Sequence, residues 1–229
     1  MDYFKSSLNA ALEMLIHGDG QVYFIVWTSL KISLAAVGLA SVLAVPCGVA
    51  FGMAEFPGKR LLRQLLGTLM ALPTVVVGLL LYGLLSRRGP LGDWGILYTP
   101  TAVIIGECVL IMPLMIHLVS TAAMENDPRL FLTLKSLGAN TWQYFVRVVS
   151  ETRAGIIGAL VAGFGRAVGE VGIAMMLGGN IQGLTRTMTT AIALETSKGE
   201  FELGLALGIL LLAVAFTVNG LLAWLQSVK

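Results

Sequence analysis

Three ionisable residues stand inside stretches that are otherwise apolar enough for lipid: Glu107 in IIGECVLIMP, and Arg166 and Glu170 in GFGRAVGEVG. A charge at the centre of a bilayer costs at least about 2.5 kcal/mol on insertion scales, so such residues mark a substrate or ion pathway or a buried pair. Arg166 and Glu170 are four apart, the spacing that puts two side chains on one face of a helix. The expectation is a pair, and it has two readings: it lines a translocation interface, or it is a structural ion pair that lets the helix insert. Glu107 has no partner at helical spacing on its own segment. It is expected to reach Arg166 or Lys31, or else to carry a proton.

Other chemistries find no support. The sequence contains no GxxxxGK[ST] phosphate loop, so ATP hydrolysis by that route is excluded. His17 and His117 are isolated from Cys and carboxylates at ligand spacing, which argues against a metal site, and no nucleophile-elbow or Ser-His-Asp pattern is present. Cys47 and Cys108 both lie in apolar segments and read as small buried hydrophobes. The chain is therefore expected not to be an enzyme and to hold no cofactor. A formal charge of +2 with no basic run gives no footprint for nucleic acid.

The elements that must position these residues are membrane spans. Hydrophobic residues make up 56% and charged residues 12% of the chain, with a mean hydropathy of +0.84, too apolar for an ordinary soluble domain. Length and apolarity predict one transmembrane domain over residues 1–229 with five spans, at 22–53, 65–85, 101–123, 154–178 and 203–224. The first is long enough to tilt, with Lys31 snorkelling outward and Pro46 able to kink its inner half. Residues 4–16 are amphipathic and too short to cross, and Glu13 interrupts them; they are expected to form an interfacial helix rather than a signal peptide. Pro73 and Pro113 interrupt the second and third spans and are candidate hinges. Gly165 and Gly169 give the fourth span a small-xxx-small face, and Gly155, Gly158, Gly163 and Gly172 narrow it further. Such a helix is expected at the centre of a bundle, its glycines serving packing within one subunit or between two.

Lys and Arg in the connections set the orientation. Lys59, Arg60, Arg63, Arg129, Lys135, Arg147, Arg153 and Lys229 fall on one side; Lys5, Arg87, Arg88, Arg186 and Lys198 fall on the other. The bias predicts an outside N-terminus and an inside C-terminus.

On the predicted inner side, residues 124–153 form a charged, amphipathic island with LKSLGANTWQYFVRVVSETRAGI at its centre. Gly138 divides two short helical patterns, Leu130, Leu134 and Leu137 on one side and Trp142, Phe145, Val146 and Val149 on the other. Here the chain resembles the coupling loop of ABC importer permeases, with Gly138 at the family's glycine and Ala139 to Trp142 following it. Leu132, Thr133 and Leu134 stand where the family has Glu-Ala-Ala, and Ser150 and Glu151 where it has Leu-Pro. The resemblance implies that Leu134, Leu137, Gly138, Ala139, Trp142 and Phe145 couple the chain to an ATPase. Without it, the island reads as an amphipathic interfacial connector.

A second stretch, GGNIQGLTRTMTTAIALETSKGEF from Gly178 to Phe201, follows FGRAVGEVG and is similar to the oxyanion branch of that family, the sulfate, molybdate and tungstate importers. Its wording from Gly179 to Gly199 is most similar to tungstate permeases. The resemblance implies a multi-pass subunit of a bacterial or archaeal cytoplasmic membrane, homodimeric and surrounded by lipid. Its partners would be a pair of ATPases, which hold the ATP and Mg, and an extracytoplasmic oxyanion-binding protein. Tungstate is the expected substrate, molybdate or sulfate the alternatives. Thr hydroxyls and Arg186 could meet a tetrahedral dianion, but a capped polar helix explains TRTMTTAIALETS better. A self-contained secondary anion transporter relaying protons through Glu107, Arg166 and Glu170 is the rival class; the absence of an inverted repeat counts against it.

Overall fold

The computed structural model describes residues 2–126, 134 and 136–227. These residues form ten α-helices, one 3-10 turn at Gly92–Trp94 and no strand. The helices are α1 (Asp2–His17), α2 (Gly20–Met53), α3 (Lys59–Met70), α4 (Thr74–Leu85), α5 (Pro100–Met124), α6 (Thr141–Glu151), α7 (Arg153–Val168), α8 (Gly172–Gly178), α9 (Met188–Lys198) and α10 (Phe201–Ser227). The all-helical membrane fold is as expected. α2, α5 and α10 are each long and apolar enough to cross alone, and two bent pairs, α3 with α4 and α7 with α8, raise the number of candidate spans to five.

Local chemistry starts the two longest inner helices. The Asp19 carboxylate accepts from the Gln21 and Val22 amides at 2.8 and 3.3 Å and opens α2. Pro100 at the first position of α5, behind Thr99, supplies a preset φ and no orphan N–H. The 34 residues of α2 rise about 50 Å at 1.5 Å each. That exceeds a hydrocarbon core of about 30 Å, in agreement with the expected tilt or overhang.

The centre of the bundle is α5, not the glycine-rich fourth span. A Cβ on Gly48 or Gly52 of α2 would fall 2.7 Å from the Cβ of Val119 or Ala123, so α2 lies directly against α5. On another side of α5, Gly155 and Gly163 of α7 would clash with Ala122 and Met115. Ile111, Met115 and Val119 are completely buried as a result. Gly158 and Gly165 of α7, in contrast, face open space. The glycine face thus divides, one part packed within the subunit and one part uncovered.

Two predicted spans are not continuous. The second is broken at Ala71–Pro73, where α3 and α4 meet at 92°, and the fourth is broken at Gly169–Val171, where α7 and α8 meet at 62°. Pro73 acts as the break, standing at the N-cap of α4. Pro46 and Pro113 sit inside helices that run on through them, so neither ends a span.

Loops gather at two ends of the bundle. At one end Val49, Val119, Ala123, Val148 and Ala159 form a cluster that ties α2, α5, α6 and α7 together, and Arg63 of α3 reaches the Met124 sulfur. At the other end the Tyr98 amide donates to Leu177 O at 2.8 Å, joining the 86–99 loop to the end of α8.

Candidate functional site

The break in the fourth span is built from Glu170. After Val168 the helix stops, and the Glu170 amide donates to Ala167 O at 3.0 Å. Its carboxylate Oε1 accepts the Ile173 amide at 3.1 Å, acting as a cap for α8, while its carbonyl accepts from Thr189 Oγ1 at 2.6 Å. Non-helical backbone at membrane depth persists only where protein satisfies the freed groups, and these three bonds do so. Glu170 is 4% exposed, whereas Arg166, on the last turn of α7, is exposed.

The expected pair is therefore not formed. Spacing of four places two residues together only on one continuous helix, and α7 ends between these two. Among the described residues the ion pairs are Lys59 with Glu55, Arg147 with Glu151 and Lys198 with Glu195. Arg166 is instead exposed on the last turn of α7. Glu107 is 1% exposed on α5, and its Oε2 is buried without a hydrogen-bond partner. It reaches neither Arg166 nor Lys31, both of which are exposed.

The threonine-rich stretch is a capped helix start. Thr187 and Thr190 form a reciprocal capping box for α9, Thr189 serves Glu170, and Thr185 Oγ1 donates to Gly178 O at 2.6 Å while accepting the Ile181 amide. Ser29 of α2 accepts the Met188 amide at 2.6 Å and fixes α9 against the bundle. With these four buried hydroxyls engaged by the chain itself, they hold α9 in place. Lys198, at the far end of α9, reaches both Glu195 oxygens at 3.1 and 3.2 Å.

At the opposite end, the island turns where expected. Gly138 has φ +74°, a conformation that strains any residue with a Cβ, and the Ala139 amide returns to Leu134 O at 3.0 Å. Asn140 and Gln143 form a capping box that starts α6. The buried stripe of α6 is Tyr144, Phe145, Val148 and Val149, packed on Val49, Val119 and Ile156. Trp142 and Val146, on one apolar pattern with Phe145 and Val149 in the sequence, face outward, Trp142 being 70% exposed and stacked on Phe145. Leu137 is 77% exposed and Ala139 half-buried. Residues 127–133 and 135 lie outside the described residues, and with them most of the first helical pattern and the departures at Leu132 and Thr133.

Sequence reasoning missed an open cavity of about 620 Å³ at the other end, lined by Leu79, Tyr82, Tyr98, Met175, Met176, Gly179 and Ile181. Tyr98 holds φ +63° there, and a hydrogen bond with Tyr82, then burial, pushes its hydroxyl above the usual tyrosine range. The signal was present in Gly179, whose φ of +69° and closeness to the Tyr98 ring leave no place for a side chain, but nothing local connects residues 98 and 179.

Residues 44–227 match the family model described as the inner membrane component of binding-protein-dependent transport systems. The chain belongs to that family. It is 38% identical over 227 residues to the tungstate uptake system permease protein TupB of Peptoclostridium acidaminophilum, covering 99% of this chain and all of that one. The corresponding TupB of Campylobacter jejuni is 39% identical, with 96% and 92% covered. The molybdenum transport system permease protein ModB of Escherichia coli K12 is more distant, at 32% identity with 89% and 94% covered. A solved inward-facing structure of the MetNI methionine ABC transporter has the same fold, with a TM-score of 0.73, 16% identity, and 93% of this chain and 99% of that chain covered.

As a binding-protein-dependent permease, the chain is a multi-pass inner-membrane subunit that works with a substrate-binding protein and an ATPase. Its two ends then have different surfaces to offer. One presents Leu137, Trp142 and Val146, apolar and uncovered; the other presents the cavity between α4 and α8.

Proposed function

We propose that the chain is the translocating subunit of an ATP-driven importer for a tetrahedral oxyanion, tungstate in the first place, and that two copies enclose the pathway. The observation that carries the substrate is the identity of 38–39% to two tungstate uptake permeases over nearly their whole length. In this reading the binding protein delivers the anion to the end that holds the cavity, and ATPases carrying ATP and Mg grip Leu137, Trp142 and Val146 around the Gly138 turn. A fixed glycine turn transmits their closure because φ +74° admits no side chain without strain.

Arg166 is the pathway cation. It is an exposed guanidinium at the end of α7, and a dianion crossing a low-dielectric passage needs a positive group of this kind. Glu107 and Glu170 are buried and do not line the passage in this reading. Membrane lipid covers the exposed apolar faces of α2 and α10, where Val42, Leu43, Leu212 and Phe216 stand outward.

The test is ATP-dependent uptake into vesicles holding this chain, its ATPase and its binding protein, with tungstate, molybdate and sulfate supplied separately. Tungstate is expected to enter at concentrations where sulfate does not, and Arg166→Gln to slow that uptake by about tenfold or more, the scale of one charge-assisted bond of 1.5–3 kcal/mol. Uptake of sulfate alone would remove the tungstate assignment, and uptake without ATPase would remove the importer class.

A further inference from the structure

Backbone strain gathers at the end that holds the cavity. Among the described residues, two that are not glycine have left-handed backbones, Tyr98 at φ +63° and Asn180 at φ +52°. Asparagine accepts that region, whereas a bulky aromatic residue enters it only where its surroundings over-determine it. Remote in sequence, the two meet at the end of α8. The Tyr98 amide donates to Leu177 O at 2.8 Å, and the Tyr98 ring lies so close to Gly179, itself at φ +69°, that a Cβ there would fall 2.8 Å from Cδ1. The same ring is 6.4 Å from that of Tyr82 on α4. Tyr98 thus ties the end of α8 to the end of α4. Its own loop gives no slack: the Leu91 amide returns to Leu84 O at 3.0 Å, and Gly89 and Gly92 pass so near Gly83 O and Ser86 O that neither has room for a Cβ.

The segment on the far side of this contact is tied down and yet incompletely satisfied. Thr185 Oγ1 donates to Gly178 O and accepts the Ile181 amide, while Ile181 O accepts the amides of Thr185 and Arg186, both at 3.0 Å. Asn180 Nδ2 donates to Thr190 O at 3.3 Å, but Asn180 Oδ1 is buried with no hydrogen-bond partner among the described residues, and so is Arg186 Nε. Native interiors leave few such atoms, and an orphan acceptor with an orphan donor on one loop marks an arrangement held under strain. Burial does not offset it, because Tyr98 is 42% exposed beside an open cavity of about 620 Å³. A residue that served only to fill a core would be covered and relaxed.

We propose that Tyr98 is a strained latch between α4 and α8, closed in this structure, that lets go of Leu177 O and Gly179 when the cavity end opens to admit the anion. Once released, Tyr98 returns to negative φ. The strain keeps the closed state only slightly favoured, so that a partner binding at that end can shift the balance with a modest difference in affinity. At their other ends α4 and α8 stay joined through Gly172, where a Cβ would lie 3.0 Å from Thr74 Oγ1, so the parting is a hinge about the two helix breaks. The latch rests on the reading of the chain as a translocating subunit and not on which anion it carries.

Melting of the full-length chain in lipid tests the strain. Tyr98→Gly and Tyr98→Ala both remove the ring, but only glycine is at ease at φ +63°, so Tyr98→Gly is expected to melt higher, the reverse of the ordinary order. The release is tested in vesicles holding the chain, its ATPase and its binding protein, with cysteines replacing Tyr98 and Gly179 in a background without Cys47 and Cys108. Tyr98 Cγ is 3.6 Å from the Gly179 Cβ position, which leaves the two Cβ atoms about 5 Å apart at most, within reach of a disulfide after a small shift. Oxidation is expected to link the two and to slow tungstate uptake about tenfold or more, with reductant restoring it and neither single cysteine responding. The latch is overturned if Tyr98→Ala melts as high as Tyr98→Gly, if no link forms, or if the linked protein carries anion as fast as the reduced one. Uptake by the reduced protein that ignores ATP would instead overturn the importer reading, and the comparison of linked with reduced protein would still decide the latch.

Discussion

α3 and α4 meet at 92° around Ala71–Pro73, and α7 and α8 meet at 62° around Gly169–Val171, but the two corners are held by different means. At the first, the Ala71 and Leu72 amides fold back to Thr68 and Leu69, and the Val76 and Val77 amides to Pro73, so its backbone bonds stay within four residues. The proline removes a donor and fixes φ, which is sufficient to end one helix and start another. At the second corner no proline is present, and the carbonyl of Glu170 depends on Thr189, nineteen residues later. One corner is written into the local chain; the other exists only when α9 is in place. The two also touch, because a Cβ on Gly172 would lie 3.0 Å from Thr74 Oγ1 and 3.2 Å from Val75 Cγ2.

The largest effect should separate the corners directly. Glu170→Ala removes the cap of α8 and leaves the Ile173 amide buried without its acceptor, so folded yield in membranes is expected to fall about tenfold, from a cost of 1–3 kcal/mol. Pro73→Ala leaves the bonds of its corner available and should change the same yield by less than about threefold, well under 1 kcal/mol. A larger loss for Pro73→Ala would reverse the comparison.

Thr189→Val comes next and tests the long-range bond alone. The shape is kept and one hydroxyl is lost, so melting of the solubilised chain should show a destabilisation of about 1–2 kcal/mol, with Thr189→Ser recovering most of it. An unchanged melting temperature would mean that the second corner stands without α9.

The contact between the corners should be worth less. Gly172→Ala forces Thr74, Val75 or Glu170 to shift by a few tenths of an ångström and is expected to cost about 1 kcal/mol. In a double-mutant cycle with Thr74→Ala the coupling should exceed about 0.5 kcal/mol, and additive losses would show that the corners act independently.

The smallest effect lies at the approach to the first corner, where Glu55 meets Lys59 at 2.8 Å on the surface. The hydrogen bond and charge of Lys59 hold the Glu55 carboxyl below its ordinary value. A lowered folded value means that any stabilisation is present above the ordinary carboxylate range and is lost as pH falls through the folded one. Glu55 is fully exposed, so screening removes most of it, and Glu55→Gln should melt with the wild type at neutral pH and physiological salt. A clear difference there would give the first corner an electrostatic support that its local bonds do not reveal.

How legible each feature was depends on the range of the interaction that makes it. The five hydrophobic segments and the turn at Gly138 were readable because each rests on length, composition or one residue's φ. The stripe of Trp142, Phe145, Val146 and Val149 divides in the structure, because apolar periodicity marks a stripe without saying whether the subunit or a partner covers each residue. Arg166 and Glu170 were paired on helical spacing, which holds only if the helix continues.

The sequence by itself determined that the chain is helical and membrane-spanning and that a glycine turn divides the island between the third and fourth spans. These follow from transfer free energy and from backbone restrictions that act within a few residues. Only the tertiary structure decided that α5 is the centre of the bundle, that Pro73 breaks its span while Pro113 does not, and that the fourth span bends at Glu170. GRAVGEVG is compatible with a continuous helix and with a broken one; Thr189, Ser29 and the glycines that let α2 and α7 close on α5 select between them, because a freed backbone group in a dry interior takes whichever partner the fold brings within reach.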